Sequence, residues 1–195
     1  MQVTLVQAPT QPLQLIADIA SICYGKDQAS DSVKLVKHLF KNGHHSVFEH
    51  IHYTFKIEGI SRACLAQLTR HRHASFTVRS QRYCDESEQF FIIPKDIKNN
   101  EDALLNYEDL LGDIKLVYAH LIDCGVKKED ARMILPNATT TELYMSLNLR
   151  ELLHIVSLRN TKQAQWEIRE LMQLIIELVS YNNPEIKFMF EKENA

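Results

Sequence analysis

The sequence predicts an α+β fold, mostly helical with a small and mainly antiparallel sheet, in a single domain spanning residues 1–195. Apolar residues recur with helical spacing in several segments, the longest at 102–124 and 164–181. Between residues 51 and 58, apolar and polar side chains alternate, which is typical of a half-buried strand. With 45% apolar residues and no repeat, low-complexity tract or linker, 195 residues suffice for one core.

The predicted elements follow in chain order, and glycine or proline marks most of their ends. Ser61 is expected to cap a helix that brings Arg70 and His71 to its carboxyl end. In the extended segment after it, Ser80 and Arg82 should face one way and Arg79 and Gln81 the other. The elements are a strand at 3–7, helices at 13–24 and from Ser30-Asp31 to Gly43, a strand at 51–58, a helix at 61–68, extended structure at 77–93, helices at 102–124 and 128–134, a β-rich segment at 139–146, helices at 149–158 and 164–181, and a short segment from Pro184.

Composition excludes several classes of protein. The formal net charge of -3 argues against a generic nucleic-acid binder, which usually carries a basic excess. No apolar run approaches the roughly 20 residues that span a bilayer, and the amino terminus lacks a secretory pattern. The four cysteines form no Cys-x-x-Cys pair, which favours reduced thiols over disulfides or zinc. We expect a cytoplasmic protein without membrane contact.

An arginine-rich segment is the strongest chemical signal. Between Gly59 and Cys84 the chain carries five of its nine arginines and no acidic residue. The planar guanidinium suits phosphate and carboxylate, so we expect an anion to bind here. The glycines form neither a G-x-G-x-x-G motif nor a P-loop, so side chains must hold any pyrophosphate. The structural alternative is a solvated basic strand whose surface ion pairs contribute about 0–1 kcal/mol each.

Two further patterns are open to more than one interpretation. His50 and His52 should share a face of the strand and could pair on a metal, but a third ligand is missing and we expect no metal. Arg150, His154 and Ser157 recur at i, i+4 and i+7, opposite a row of leucines and valine. That stripe fits an ordinary amphipathic helix as well as it fits a binding surface.

The motifs together resemble the flavin-dependent thymidylate synthases. Arg70-His71-Arg72, seven residues and then Ser80 have the hallmark spacing of that family. Further similar blocks cover most of the chain in order: His44 to His50, Asp130 to Pro136, Asn148-Leu149-Arg150, and Leu158-Arg159 followed by Ala164 to Ile168.

The resemblance implies an enzyme that converts dUMP to dTMP with FAD, NADPH and methylenetetrahydrofolate, as a homotetramer with shared active sites. It implies that Arg159 is the catalytic residue, activating uracil by favouring its deprotonated ring. His44 and Glu49 should line the pocket. The residues implied to bind FAD are Ser46, Arg70, His71, Arg72, Val78, Asn148, Arg150 and His154; those implied to bind dUMP are Gln67, Leu68, Thr69, Arg70, Arg79, Ser80, Gln81, Arg82, Arg132 and Arg159.

Some positions depart from the family pattern. Val78 stands where many members have glutamate or glutamine, Arg79 where an apolar residue is common, and His154 where some have asparagine.

The residues, considered without the resemblance, also allow two other functions. One is a nucleic-acid-binding module that uses Arg70–Arg82 on phosphates, and the other is a metal-dependent nucleotide hydrolase built on the histidines.

Overall fold

The computed structural model describes residues 1–26 and 31–191. Its four strands form one antiparallel sheet in the order β1-β2-β4-β3, and the predicted α+β class is confirmed. In chain order the elements are β1 (Gln2–Gln7), α1 (Pro12–Ile22), α2 (Ser32–Lys41), a 3-10 helix (His45–His50), β2 (His52–Ser61), α3 (Arg62–Leu68), β3 (Ser75–Val78), α4 (Lys95–Lys98), α5 (Glu101–Asp123), α6 (Lys128–Ala131), a 3-10 helix (Arg132–Ile134), β4 (Thr140–Asn148), α7 (Leu149–Arg159), α8 (Trp166–Asn182) and a 3-10 helix (Pro184–Met189).

The chain divides into two compact units. The first unit comprises Met1–Ile57, Thr69–Phe76 and Tyr144–Ala195, and the second comprises Glu58–Leu68 and Thr77–Leu143. Each unit is described by itself below. The single-domain boundary of 1–195 stays a prediction.

The core of the first unit rests on the alternation seen in the sequence. In β2, Tyr53, Phe55 and Ile57 are fully buried, while His52 is exposed. The Tyr53 hydroxyl donates a hydrogen bond to Asn183 Oδ1 at 3.1 Å, so the buried phenol is satisfied. Helix α8 contributes a buried face to the same unit, formed by Ile168, Leu171, Met172, Ile175 and Val179.

Helix ends follow local capping chemistry. Asp31 accepts a hydrogen bond from the Lys34 amide at 2.9 Å and caps α2, whereas Ser30, also predicted as a cap, lies outside the described residues. Helix α8 begins at Trp166, two residues later than predicted. The reason is that the Gln165 side chain accepts from the amides of Glu167 and Ile168 and stands outside the helix.

The second unit is organised around the long helix α5. Asn100 caps it by accepting from the Ala103 amide at 3.1 Å, and Gly125 follows it with φ +81°, a left-handed conformation that glycine adopts without strain. Ser61 Oγ accepts from the Cys64 amide at 3.0 Å, which confirms the predicted start of α3.

The prediction of extended structure throughout 77–93 is wrong. Strand β3 ends at Val78, and the chain then turns: the Ser80 carbonyl accepts from the amides of Tyr83 and Cys84, and Ser80 Oγ accepts from that of Arg82. A serine that satisfies the amides after it favours a turn over a strand. The expected alternation of Arg79 to Arg82 between two faces is therefore wrong as well.

Across residues 1–26 and 31–191, no helix combines the length and the apolar character that crossing a membrane requires.

Candidate active site

The first unit contains a cavity of about 870 Å³ along helix α7. Asn148, Arg150, His154 and Ser157 all line it. The polar stripe predicted from the spacing in α7 therefore faces a concave surface, which favours the binding interpretation over that of an ordinary solvated helix face. Small-molecule and cofactor sites have volumes of roughly 300–1,000 Å³, and this cavity falls in that range.

Part of the cavity lining is aromatic and apolar. Phe40 and His45 stack with ring centroids 5.7 Å apart and an interplanar angle of 21°, and both line the cavity. Met189 and Phe190 join them from the carboxyl-terminal part of the unit. The cavity thus offers an aromatic surface and a row of polar donors, the combination that a flat, phosphate-bearing ligand needs.

One cation on the cavity wall is already paired. Arg150 Nη1 donates to Glu49 Oε1, and both side chains are about half exposed. Since exposed ion pairs contribute about 0–1 kcal/mol, an anionic ligand can compete for Arg150 at little cost. Glu49, predicted as a pocket residue, lines the cavity as well.

A chain of three charged or polar groups, two of them buried, lies in the first unit. Arg159 Nε donates to His71 Nε2 at 3.0 Å, and His71 Nδ1 lies 3.8 Å from Glu151 Oε1. The side chains of His71 and Glu151 are only 5% and 8% exposed. The ring of His154 meets that of His71 edge-on, with centroids 6.2 Å apart. The arrangement orients the residue predicted to be catalytic through a histidine that comes 88 positions earlier.

Burial lowers the pKa of His71 below its ordinary value of 6.5, and the nearby charges of Arg159 and His154 lower it further. The imidazole is therefore neutral at neutral pH. A neutral ring can accept from Arg159, whereas an imidazolium has only donors and repels the guanidinium.

This shift predicts a pH dependence of stability. The unfolded chain protonates His71 more readily than the folded chain, so its contribution is present above pH 6.5 and is lost as pH falls through the folded pKa. We expect the free energy of urea unfolding to fall more steeply between about pH 7 and about pH 5 in the wild type than in His71→Gln, which does not titrate. The exposed His52→Gln should retain the wild-type slope; equal slopes in all three proteins would contradict the prediction.

In the second unit, the arginines of the turn after β3 are paired with carboxylates from outside the arginine-rich segment. Arg79 contacts Glu86 at 3.2 Å and Glu142 at 3.3 Å, and Arg82 contacts Glu129 at 3.1 Å. The structural alternative, a basic segment with surface ion pairs, is thus partly correct. The sequence pattern around the arginines did not predict which carboxylates pair with them. Neither arginine is an unpaired cation.

Glu86 is the most buried of these carboxylates. Burial raises its pKa above the usual range, although the charges of Arg79 and Arg62 partly offset this. Burial alone lowers the pKa of Arg79, but the charge and hydrogen bond of Glu86 outweigh it and the net direction is upward. Arg79 is therefore held by Glu86 and Glu142 as part of the architecture of the turn.

Two buried nitrogens near this cluster have no hydrogen-bond partner among the described residues. They are Arg62 Nε and Gln81 Nε2. A buried donor without a partner costs about 1–3 kcal/mol, so each is a place where an added acceptor would be stabilising. Gln81 belongs to the predicted dUMP set, and its amide nitrogen fits that role.

The other predicted residues differ in how accessible they are. His44, Ser46, Thr69, Arg70 and Arg72 are exposed in the first unit. In the second unit Gln67, Val78, Ser80 and Arg132 are partly buried, and Arg132 Nε donates to the Glu129 carbonyl. Leu68 is fully buried, so only its backbone could meet a ligand.

The expected histidine pairing on a strand face is wrong. His50 ends a 3-10 helix and only His52 belongs to β2, because the chain turns once more before it extends. Within 1–26 and 31–191, no group of three or more His, Cys, Asp or Glu side chains is placed to hold a metal ion.

Six polar residues that line the cavity were predicted neither as site residues nor as part of the polar stripe. They are His45, His73, Glu151, Asn160, Thr161 and Glu191. The signal for His45 was its place in the motif that carries His44 and Glu49. Glu151 had a weaker signal, its position three residues after a helix-capping asparagine, and His73 had none beyond its place next to the Arg-His-Arg motif.

The aromatic and cationic cavity of the first unit has the size of a small-molecule site, and the cluster of arginines in the second unit suits an anion. A family model described as thymidylate synthase complementing protein matches residues 4–185, and the chain belongs to that family.

Curated relatives agree with this assignment. A protein of Pyrococcus furiosus named flavin-dependent thymidylate synthase is 40% identical, with 91% of this chain and 78% of the relative covered. Relatives of the same name from Geobacter sulfurreducens and Pyrococcus abyssi are 38% and 35% identical, covering 95% and 92% of this chain and 85% and 79% of their own. The predicted family resemblance is confirmed.

Proposed function

We propose that the protein methylates dUMP to dTMP reductively with bound FAD, taking the one-carbon unit from methylenetetrahydrofolate and the hydride from NADPH. The observation that carries the proposal is the family match over residues 4–185, a range that includes every predicted site residue. The family and the relatives' names confirm the enzyme class, a flavin-dependent thymidylate synthase. The nucleic-acid alternative has no comparable support.

The cavity of the first unit fits a flavin nucleotide. A flavin has a flat ring system and a pyrophosphate, and the cavity is lined by the stacked Phe40 and His45 and by the polar side chains of Asn148, Arg150 and His154. Those three polar residues would hold FAD, together with Ser46, Arg70, His71, Arg72 and the backbone of Val78. When bound, FAD supplies the relay of the one-carbon unit and of the reducing hydride.

Arg159 is the residue that we assign to substrate activation. Uracil C5 is a poor nucleophile until negative charge enters the ring. A guanidinium beside N3 and the adjacent carbonyl favours the deprotonated ring by the same effect that lowers the pKa of an acid near a cation. The hydrogen bond from Arg159 Nε to His71 holds the Nε end of the guanidinium in place, so the orientation of the group is set before substrate binds.

The remaining predicted residues would bind dUMP. Ser80 and Arg82 are assigned to the phosphate, and the amide nitrogen of Gln81 gains an acceptor that the described residues do not supply. Gln67, Leu68, Thr69, Arg70 and Arg132 complete the proposed set. Arg79 remains in it, although its pairing with Glu86 and Glu142 supports a role in shaping the turn.

Assembly and location form part of the proposal. A chain of 195 residues has limited concave surface for FAD and a nucleotide together, which supports a homotetramer with shared active sites. The four cysteines form no Cys-x-x-Cys pair, which favours reduced thiols and supports a cytoplasmic location.

A single optical experiment tests the function. Purified protein, as isolated or after incubation with FAD, should show flavin absorbance, and NADPH oxidation should be faster when dUMP is present. Formation of dTMP after adding methylenetetrahydrofolate completes the test. Protein that stays colourless with added FAD would refute the proposal, and oligonucleotide affinity that falls steeply with salt would favour the nucleic-acid alternative.

A further inference from the structure

The carboxylate of Glu151 has no role in the function proposed above, yet it is one of the most deeply buried charges of the first unit. The residue is 6% exposed, and its Oε1 lies 3.8 Å from His71 Nδ1. Burying a carboxyl group in such a place is costly unless a polar group faces it. His71 Nδ1 faces it within ion-pair range but beyond hydrogen-bond distance, so the contact acts through attraction to a proton on Nδ1 and calls for a functional explanation.

The hydrogen bond between Arg159 and His71 fixes where the imidazole proton must be. Arginine is permanently protonated, so Arg159 Nε is the donor and His71 Nε2 must carry a lone pair. In a neutral ring the proton is then on Nδ1, the nitrogen that faces Glu151. In a neutral histidine, a group that holds the proton on one ring nitrogen leaves the other nitrogen unprotonated and so selects the tautomer.

We propose that Glu151 is a positioning residue: it holds His71 as the Nδ1–H tautomer, so that Nε2 accepts from Arg159 and orients its guanidinium toward the uracil ring. This inference rests on the proposed function of Arg159. Without the carboxylate, the Nε2–H tautomer becomes accessible and places two donors against each other at 3.0 Å. The guanidinium then has to move away from the orientation in which it activates substrate.

A structural role for Glu151 is the competing explanation. Asn148 caps α7 by accepting from the Glu151 amide at 2.9 Å, so Glu151 is the third helical residue, the position of the acid in a capping box. Glutamine serves a capping box as well as glutamate does. It differs from glutamate toward His71, because its neutral amide can accept from Nδ1–H or donate to a bare Nδ1 and so selects neither tautomer.

Glu151→Gln therefore separates the two explanations. We expect kcat for dTMP formation to fall about 10–100-fold, by analogy with the loss on removing the group that orients a metal-bound histidine, with the KM for dUMP nearly unchanged. Flavin absorbance of the same samples shows whether the cavity that Glu151 lines still takes up FAD, and kcat is compared per bound flavin. Glu177→Gln, which removes an exposed acid from α8 of the same unit, should retain wild-type kcat. A Glu151→Gln enzyme with wild-type kcat would refute the positioning role.

A second readout does not depend on activity. Nitrogen-15 NMR of the histidine side chains in the full chain should show His71 with Nδ1 protonated and Nε2 bare in the wild type. In Glu151→Gln and Glu151→Ala we expect the Nε2–H form to appear. An Nε2–H tautomer in the wild type, or an unchanged tautomer in both variants, would overturn the inference; if Glu151→Ala does not fold, Glu151→Gln decides alone. A wild type without flavin uptake or turnover would refute the proposed function instead, while the NMR result would still test the tautomer.

Discussion

Arg159→Ala is expected to lower kcat for dTMP formation by about 10²–10³-fold, the loss typical of removing one preorganised electrostatic group from an active site. The substitution removes the charge assigned to the uracil ring and releases His71 Nε2 from its donor. Because Arg159 does not line the cavity with Asn148 and Arg150, flavin absorbance should be largely retained. Single-turnover formation of dTMP, with flavin spectra of the same samples, is the measurement.

Two matched variants sharpen this result. Arg159→Lys keeps a positive charge but loses the planar fork and the Nε donor, so its kcat should lie between those of the wild type and the alanine variant. Arg169→Ala removes an arginine of α8 whose Nη1 donates to the Lys162 carbonyl, and its kcat should stay near the wild-type value. Near-normal turnover in Arg159→Ala would remove Arg159 from its assigned role.

Phe55→Ala is expected to reduce the free energy of unfolding by about 3–5 kcal/mol. The side chain is fully buried in β2, and its ring lies 6.2 Å from that of Tyr53 at an angle of 18°. The loss combines the transfer of a large apolar group with the cavity left in a close-packed core. Urea denaturation at constant protein concentration measures it.

An exposed phenylalanine provides the control. Phe90 is 75% exposed, and Phe90→Ala should change the free energy of unfolding by no more than about 0.5 kcal/mol. Should Phe55→Ala lose less than about 1 kcal/mol, the core position of β2 would be contradicted.

The elements that the sequence specifies locally were predicted well. Helix α5 between Asn100 and Gly125 is an example, because both of its ends depend on residues within four positions. The polar stripe of α7 was also visible, since Arg150, His154 and Ser157 occupy one helical face. Hydrophobic periodicity and helix capping depend on residues a few positions apart, so they can be identified in a single sequence.

The features that the sequence did not predict depend on contacts between residues far apart in the chain. Nothing near Arg79 indicates that Glu142 reaches it, 63 positions later, or that a turn replaces the predicted strand there. The approach of Glu151 to His71 is likewise a product of the fold, since 80 positions separate them. Which carboxylate neutralises which cation is decided by tertiary packing, so the sequence predicted the cations but not their partners.

The pairing of Arg82 with Glu129 has a consequence for the choice of ligand. An anion that binds Arg82 must displace a carboxylate at 3.1 Å, so binding there is an exchange of counter-ions. A phosphate monoester carries a charge of about −1.5 to −2 at neutral pH, whereas each phosphate of a nucleic-acid backbone carries a single charge, as the carboxylate does. The monoester gains more from the exchange than the diester does. On the proposed function, the Arg82–Glu129 ion pair would therefore favour the phosphate of a free mononucleotide over a backbone phosphate of a polynucleotide.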